Sequence, residues 1–471
     1  MLLSAAGSMP SRAQSSVQKS PAAKPPAKPS ASPVFQFALQ NGMQVLVIPD
    51  HRAPVVTQMV WFKVGAVDDP PGGSGLAHFF EHMMFRGTKK VPGDQFSQLI
   101  AKNGGENNAF TTHDYTAFYE QIAADRLPLA MDLEADRIAN LDLSDNNVTT
   151  ERDVVMEERR MRVDNSPQAL VGEQMAAALH LSHPYGRPVI GWADELRRID
   201  RVSAQKFYDH HYAPNNAILV VAGDVTPDEI RTMAQASYGK LPARELEPRA
   251  EFSEPPRLAE TRMVVRRPDA KVPVFTRSYR VPSYAQAGPG QAESLEMLSQ
   301  IMGSGETSTL YRILVEQKKI ASDAGADYEG FARDAAEFSF YAVPRPGVSL
   351  ETLERAVDQV IQGFTANAPS ATELARAKTQ LISSVTYRRD SQYAMATAYG
   401  SALTIGLTVQ DVNEWPARVR AVTGQGIVAA ARSLNRRNAV TAYLEPLPAP
   451  QPAAARPNTP PAAAPVPGAP K

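Results

Sequence analysis

The chain reads as an α+β protein made of two homologous α/β-sandwich-like halves, each an antiparallel-rich sheet packed with helices and joined to the other by a linker. Three observations carry that reading. Strand and helix patterns alternate through residues 34–445 without the regular β-α-β spacing of a doubly wound sheet. Both halves end alike: a helical stretch leads into NNAILVVAGDV (Asn215–Val225) in the first, and Gly424–Leu434 leads into RNAVTAYLEP (Arg437–Pro446) in the second. A length of 471 residues, of which 43% are apolar, accommodates two or three domains with sizeable cores.

The elements follow in order. Proline crowds residues 1–33 and 446–471 among Ala, Ser and Lys, a composition that cannot bury enough apolar surface to order itself, so both ends are expected to be disordered. Phe35, Phe37 and Leu39 alternate with polar or small residues, Asn41-Gly42 breaks the run, and MQVLVI resumes it, which predicts a β-hairpin. Val55–Val64 is a further strand, and Gly75–Phe85, Asp94–Lys102 and Leu127–Asn140 have helical patterning. Ala109–Gln121 reads as one strand and Thr150–Arg162 as a helix. The Pro/Glu/Arg-rich stretch 241–257 predicts a linker between a first half at 34–240 and a second at 258–445.

Composition excludes several chemistries. The absence of cysteine removes disulfides, thiol nucleophiles and thiolate-held metals, so any metal site must use His, Asp and Glu. A formal charge of −1 lacks the basic excess of a nucleic-acid protein. No apolar run reaches the ~18 residues of a membrane span. The N-terminus is a poor export signal as written. The leader composition and missing cysteines nevertheless lean toward the periplasm.

Within GLAHFFEHMMFRGT (Gly75–Thr88), His78, Glu81 and His82 stand at i, i+3 and i+4 and share one helix face. Two imidazoles one turn apart can reach a single metal ion, with the carboxylate beside them free to act on water. The order H-x-x-E-H inverts the commoner H-E-x-x-H zinc pattern. A catalytic zinc generally takes a third protein ligand. The best supplier is ERDVVMEERRMR (Glu151–Arg162), where Glu151 and Glu158 lie two turns apart on one face, with Val154 and Val155 between them at packing positions. Glu158 is favoured as ligand with Glu151 behind it, while periodicity leaves Glu157 or Glu151 open. His113, His180, His183, His210 and His211 show no i, i+4 pairing with one another and read as structural or solvated.

These motifs resemble the pitrilysin, insulysin and mitochondrial-processing-peptidase superfamily of inverzincin metallopeptidases over nearly all of 34–445. The shared features are G-L-A-H-x-x-E-H-M-x-F-x-G-T, the acidic motif E-R-x-V-V-x-E-E at the family's spacing, HPYGRPVIG (His183–Gly191) and YAPNNAILVVAGDV. The resemblance implies zinc held by His78, His82 and Glu158, catalysis by Glu81 with Glu151 as supporting acid, and hydrolysis of oligopeptides or unfolded segments in a closed chamber. It also implies that GGENNAFTTHDYTAFYE (Gly104–Glu120) carries the substrate strand, with Asn108, Ala109 and Phe110 binding extended peptide through main-chain bonds. The family further includes non-catalytic assembly subunits, and the same strand could serve a peptide-binding module.

One feature departs from the family. Members that work as homodimers or long single chains carry an Arg and a Tyr in a second-half segment S-R-L-Y-x-x-L-R-E-K-x-G-L-A-Y. Here the segment is STLYRILVEQKKIAS (Ser308–Ser322), with Val315 and Ser322 at those two places. Neither supplies a cation or a phenol. The departure implies a heterodimer whose homologous partner subunit provides the Arg/Tyr pair, the alternative being a homodimer that uses other residues.

Overall fold

The structure, a computed structural model, describes residues 33–447, so the leader and tail expected at 1–33 and 446–471 lie almost wholly outside it. Two mixed sheets organise the described residues. The first contains β1 (Phe35–Ala38), β2 (Gln44–Pro49), β3 (Val55–Phe62), β4 (Glu106–Thr111), β5 (Thr116–Ala123) and β6 (Ala217–Gly223), in the order β1-β2-β6-β3-β5-β4. The second contains β7 (Thr261–Arg267), β8 (Val274–Val281), β9 (Ala321–Tyr328), β10 (Ala336–Pro344) and β11 (Ala439–Pro446), in the order β7-β11-β8-β10-β9. Setting β1 aside, the two orders coincide strand for strand. Each has one parallel pair, β2 with β6 and β7 with β11, and is otherwise antiparallel. The α+β reading and the internal repeat are therefore present in the topology.

The hairpin expected at Asn41-Gly42 forms, with Phe35 opposite Val47 and Gly42 at φ 87°. The segment read as a single strand from Ala109 is instead the hairpin β4–β5. Its turn is local chemistry: Thr112 Oγ1 accepts the N–H groups of Asp114 and Tyr115 at 3.2 Å each, an arrangement that competes with a continued ladder. Gly65 lets this turn pack closely, since a Cβ there would meet the His113 carbonyl at 2.5 Å.

The first five helices are α1 (Leu76–Met83), α2 (Gln95–Lys102), α3 (Leu127–Asn140), α4 (Asp145–Arg159) and α5 (Pro167–Leu179). The helix expected from Thr150 begins earlier, because Ser144 caps it by accepting Asn147 N–H at 3.4 Å. It continues past Arg159 as a π-helical turn, Arg160–Asp164. Val155 is buried as expected, but Val154 faces solvent, one position round the helix from the packed stripe.

The halves exchange helices. Val171, Met175 and Leu179 of α5 pack against Val440, Ala442 and Leu444 of the second sheet. In return, the helix Gln392–Thr404 lays Ala396 and Tyr399 against Leu46, Met59, Trp61 and Val220 of the first. Gly400 permits the approach, since a Cβ there would meet the Trp61 indole at 2.1 Å. Each such buried aliphatic side chain contributes roughly 1.5–3 kcal/mol, so neither sheet is independent of the other half. The stretch 241–257, expected as a linker, has no helix or strand yet is strapped down: Arg249 bonds Asp68 at 2.8 and 2.5 Å, and Glu254 accepts His183 N–H at 2.7 Å.

A polar hub ties the second sheet to the helix Leu350–Ala366. Glu354 pairs with Arg262, Arg436 and the fully buried Arg277, and accepts the Tyr443 hydroxyl. Burial opposes its ionisation, but the guanidinium and hydroxyl donors outweigh it and hold the carboxyl down at about 2. Its folded value is below its unfolded one, so the stabilisation is present above the ordinary carboxylate range and is lost as pH falls toward 2. Glu354→Gln is expected to cost about 3 kcal/mol at neutral pH and to flatten the acid limb of a urea-melt series. A variant as acid-labile as the parent would refute this.

Candidate metal centre

Helix α1 is positioned from both ends of its sequence. Leu76, Ala77, Phe79, Phe80 and Met83 are buried, and Phe80 stacks on Phe207 at 5.5 Å between centroids. The N-terminus has no local side-chain cap; Asp69, from the loop after β3, accepts Gly75 N–H at 2.7 Å and Ala77 N–H at 2.9 Å. Gly75 has φ 92°, and a Cβ on it would meet Ile190 O at 2.7 Å, while one on Gly191 would meet Ser74 O at 2.5 Å. The two glycines thus let the HPYGRPVIG turn lie directly against the start of α1. Arg159 locks the third side by bonding Gly191 O at 2.7 Å and Glu173 at 2.7 and 2.9 Å.

The polar face of α1 then meets α4. His82 Nε2 lies 3.0 Å from Glu158 Oε2, and His78 Nε2 lies 3.7 Å from the same oxygen. One ligand atom from each of the three residues falls within 4.8 Å of the others, the only such His/Asp/Glu group found among the described residues. A tetrahedral ion with bonds near 2.0–2.1 Å separates its ligand atoms by roughly 3.4 Å, a spacing that 3.0 and 3.7 Å bracket. Glu158 Oε2 is sealed from solvent without a well-directed hydrogen bond, as a metal-facing oxygen would be. The donor set, two imidazoles and a carboxylate, suits zinc.

His82 is oriented from behind. Its Nδ1 lies 2.9 Å from Glu151 Oε1, and a carboxylate accepts only, so the N–H belongs on Nδ1 and Nε2 faces the centre. Arg86 clamps the other Glu151 oxygen. Burial works against ionising Glu151, but the His82 and Arg86 hydrogen bonds outweigh it and hold the carboxyl below its usual range. Burial also lowers His82, yet the two carboxylates prevail and raise it to about 9, whereas burial and the neighbouring His82 push His78 down to about 4. His78, by contrast, has no hydrogen-bond partner on Nδ1.

Glu81 opens on the same cleft, of about 750 Å³, and burial raises its carboxyl above the usual range. Asn108, Ala109 and Phe110 line that cleft as well, on β4, the outermost strand of its sheet. The Phe110 ring packs edge-on to Trp61 at 5.5 Å, so its side chain serves the sheet. Glu157, left open by periodicity, points outward and pairs with Arg160 at 2.5 Å. His113 Nε2 sits 3.1 Å from Arg187 O, away from the centre. Sequence reading missed Arg86 and Arg162; their signal was present, at i+4 from His82 and from Glu158 respectively.

In the second half, Val315 is buried in a π-helical turn (Tyr311–Gln317), and Ser322 is exposed on the edge strand β9. Between them Lys319 has φ 54°, the one left-handed non-glycine among the described residues, standing where the resembling segment has glycine.

Comparison with known proteins accords with this geometry. Residues 44–192 match the family described as Insulinase (Peptidase family M16), and residues 198–381 match the one described as Peptidase M16 inactive domain. The zinc protease PqqE of Helicobacter pylori is 28% identical over 343 residues, covering 72% of this chain and 76% of that protein. A protease from Helicobacter pylori of known crystal structure superimposes with a TM-score of 0.83 at 25% identity, over 88% of this chain and all of that one. The periplasmic protease PqqL from Escherichia coli shares the fold, with a TM-score of 0.76 at 20% identity, over 89% of this chain but 48% of its own length. Among the described residues, no helix is long and apolar enough to cross a membrane.

Proposed function

This chain belongs to peptidase family M16, and from that premise we propose that it is a zinc metalloendopeptidase acting on oligopeptides or unfolded segments, and the catalytic subunit of a heterodimer. One observation carries the reading: two imidazoles and a carboxylate converge on one point, with a buried acid and an edge strand in the same cleft. His78, His82 and Glu158 would hold the ion. When bound, zinc supplies a Lewis acid that polarises the scissile carbonyl and acidifies water. Glu81 takes the proton of the attacking water and delivers it to the leaving amine, and its raised affinity for protons suits it to carry one between the two steps. Glu151 keeps His82 in the ligating tautomer. The main chain of Asn108, Ala109 and Phe110 pairs with extended substrate, because β4 is bonded to β5 on one side only.

The zinc-bearing half is 34–240, the linker 241–257 and the homologous half 258–445. A closed chamber follows if two such units face each other, in keeping with a fold that spans half of PqqL. The Pro/Ala/Lys leader and absence of cysteine favour the periplasm. A second reading, a non-catalytic core or peptide-binding subunit, draws on Val315, Ser322 and the inactive-domain match. Zinc content and cleavage of a quenched peptide separate the two. We expect one zinc per chain by elemental analysis, lost in His82→Ala while the far-UV circular dichroism is kept. Metal-free parent protein purified in zinc-containing buffer would sink the proposal.

A further inference from the structure

The run Glu157–Arg162 sorts its charges by side. Glu157 and Arg160 pair at the surface, both more than half exposed. Glu158, largely buried, pairs with Arg162, which borders the cleft while remaining largely exposed, Arg162 Nη1 lying 2.8 Å from Glu158 Oε1. The carboxylate of Glu158 is therefore divided: Oε2 faces the two imidazoles and Oε1 is held by a guanidinium. The π-helical turn Arg160–Asp164, closed by Asn165 N–H donating to Arg160 O at 3.1 Å, forms the segment that carries Arg162. Such turns often mark functional places in helices. The cleft's other guanidinium, Arg86, is committed to Glu151. The arrangement is thus paired, one arginine bracing the acid behind His82 and one bracing the ligand acid.

We infer that Arg162 is a positioning residue for the metal centre, holding Oε1 of Glu158 so that Oε2 alone is presented to the ion. The inference rests on the zinc reading above. This ion pair with an arginine at i+4 biases the rotation of the carboxylate, which otherwise is free to turn its second oxygen inward or swing toward solvent. Partners of metal ligands at this remove are typically worth 10–100-fold in metal affinity.

Chelator competition on the full chain, for the parent, R162M and R162K, tests this together with thermal unfolding of each metal-free protein. R162M is expected to bind zinc 10–100-fold more weakly, with R162K intermediate, since lysine keeps the charge but not the planar fork. The metal-free melting temperatures should coincide, because the Arg162 side chain is 71% exposed. Zinc affinity in R162M within twofold of the parent overturns the inference. So does a loss matched by a fall in metal-free stability, which would make Arg162 merely structural. If R162M does not fold, R162K decides alone: parental affinity in that variant overturns the inference. A parent chain that binds no zinc overturns the zinc reading itself, an outcome distinct from the others.

Discussion

Glu81→Gln should leave the zinc content of the purified chain unchanged and lower peptide turnover by about 10²–10⁴-fold. The substitution is nearly isosteric and lies on the turn between the two histidines, so neither the packing of α1 nor the ligand set is disturbed. What it removes is the group that accepts a proton from water and returns it to the leaving nitrogen. The acid limb of the parent's kcat/KM profile should report the titration of Glu81. The residual activity of the variant should lose that limb. Elemental analysis and a quenched-peptide assay on the same preparation check both halves; unaltered turnover would remove Glu81 from the mechanism.

The purified chain alone should bind zinc yet cleave slowly, and a homologous subunit carrying Arg and Tyr in its second-half segment should raise turnover about 10²–10³-fold. The physical basis is the developing oxyanion, which needs a cation or hydroxyl donor aimed at it. Val315 is turned into the core and Ser322 stands on the outer strand with a hydroxyl 3.3 Å from Val343 O, so neither position offers such a group. Removing the partner's Arg or Tyr should abolish the gain. Full turnover by this chain alone, shown by sedimentation to be monomer or homodimer, would end the heterodimer proposal.

Much of the centre was legible before folding because it is local. Helical spacing alone gathers His78, Glu81 and His82 on one face and puts Glu151 and Glu158 on one face of another helix. Periodicity does not separate Glu158 from Glu157, since the two are adjacent and each has an arginine three or four residues on. The fold separates them: Glu157 pairs with exposed Arg160, and Glu158 turns to the histidines. Turn chemistry was harder. Threonine favours strands, so Thr111-Thr112 reads as strand continuation, whereas the Thr112 hydroxyl satisfies two backbone N–H groups and reverses the chain.

What the sequence by itself determined is therefore the α+β class, the duplication of one α+β unit and the His and Glu residues gathered on single helix faces, because periodicity and spacing act within one element or one repeat. Only the tertiary structure decided the rest: the exchange of α5 and the helix Gln392–Thr404 between the sheets, the close approach of Gly191 to Gly75, the edge position of β4 and the bracing of Glu151 and Glu158 by Arg86 and Arg162. A hydrophobic stripe states which face of a helix must leave water, but it is equally satisfied by any apolar surface of the right shape. The partner is chosen by the packing of the whole chain.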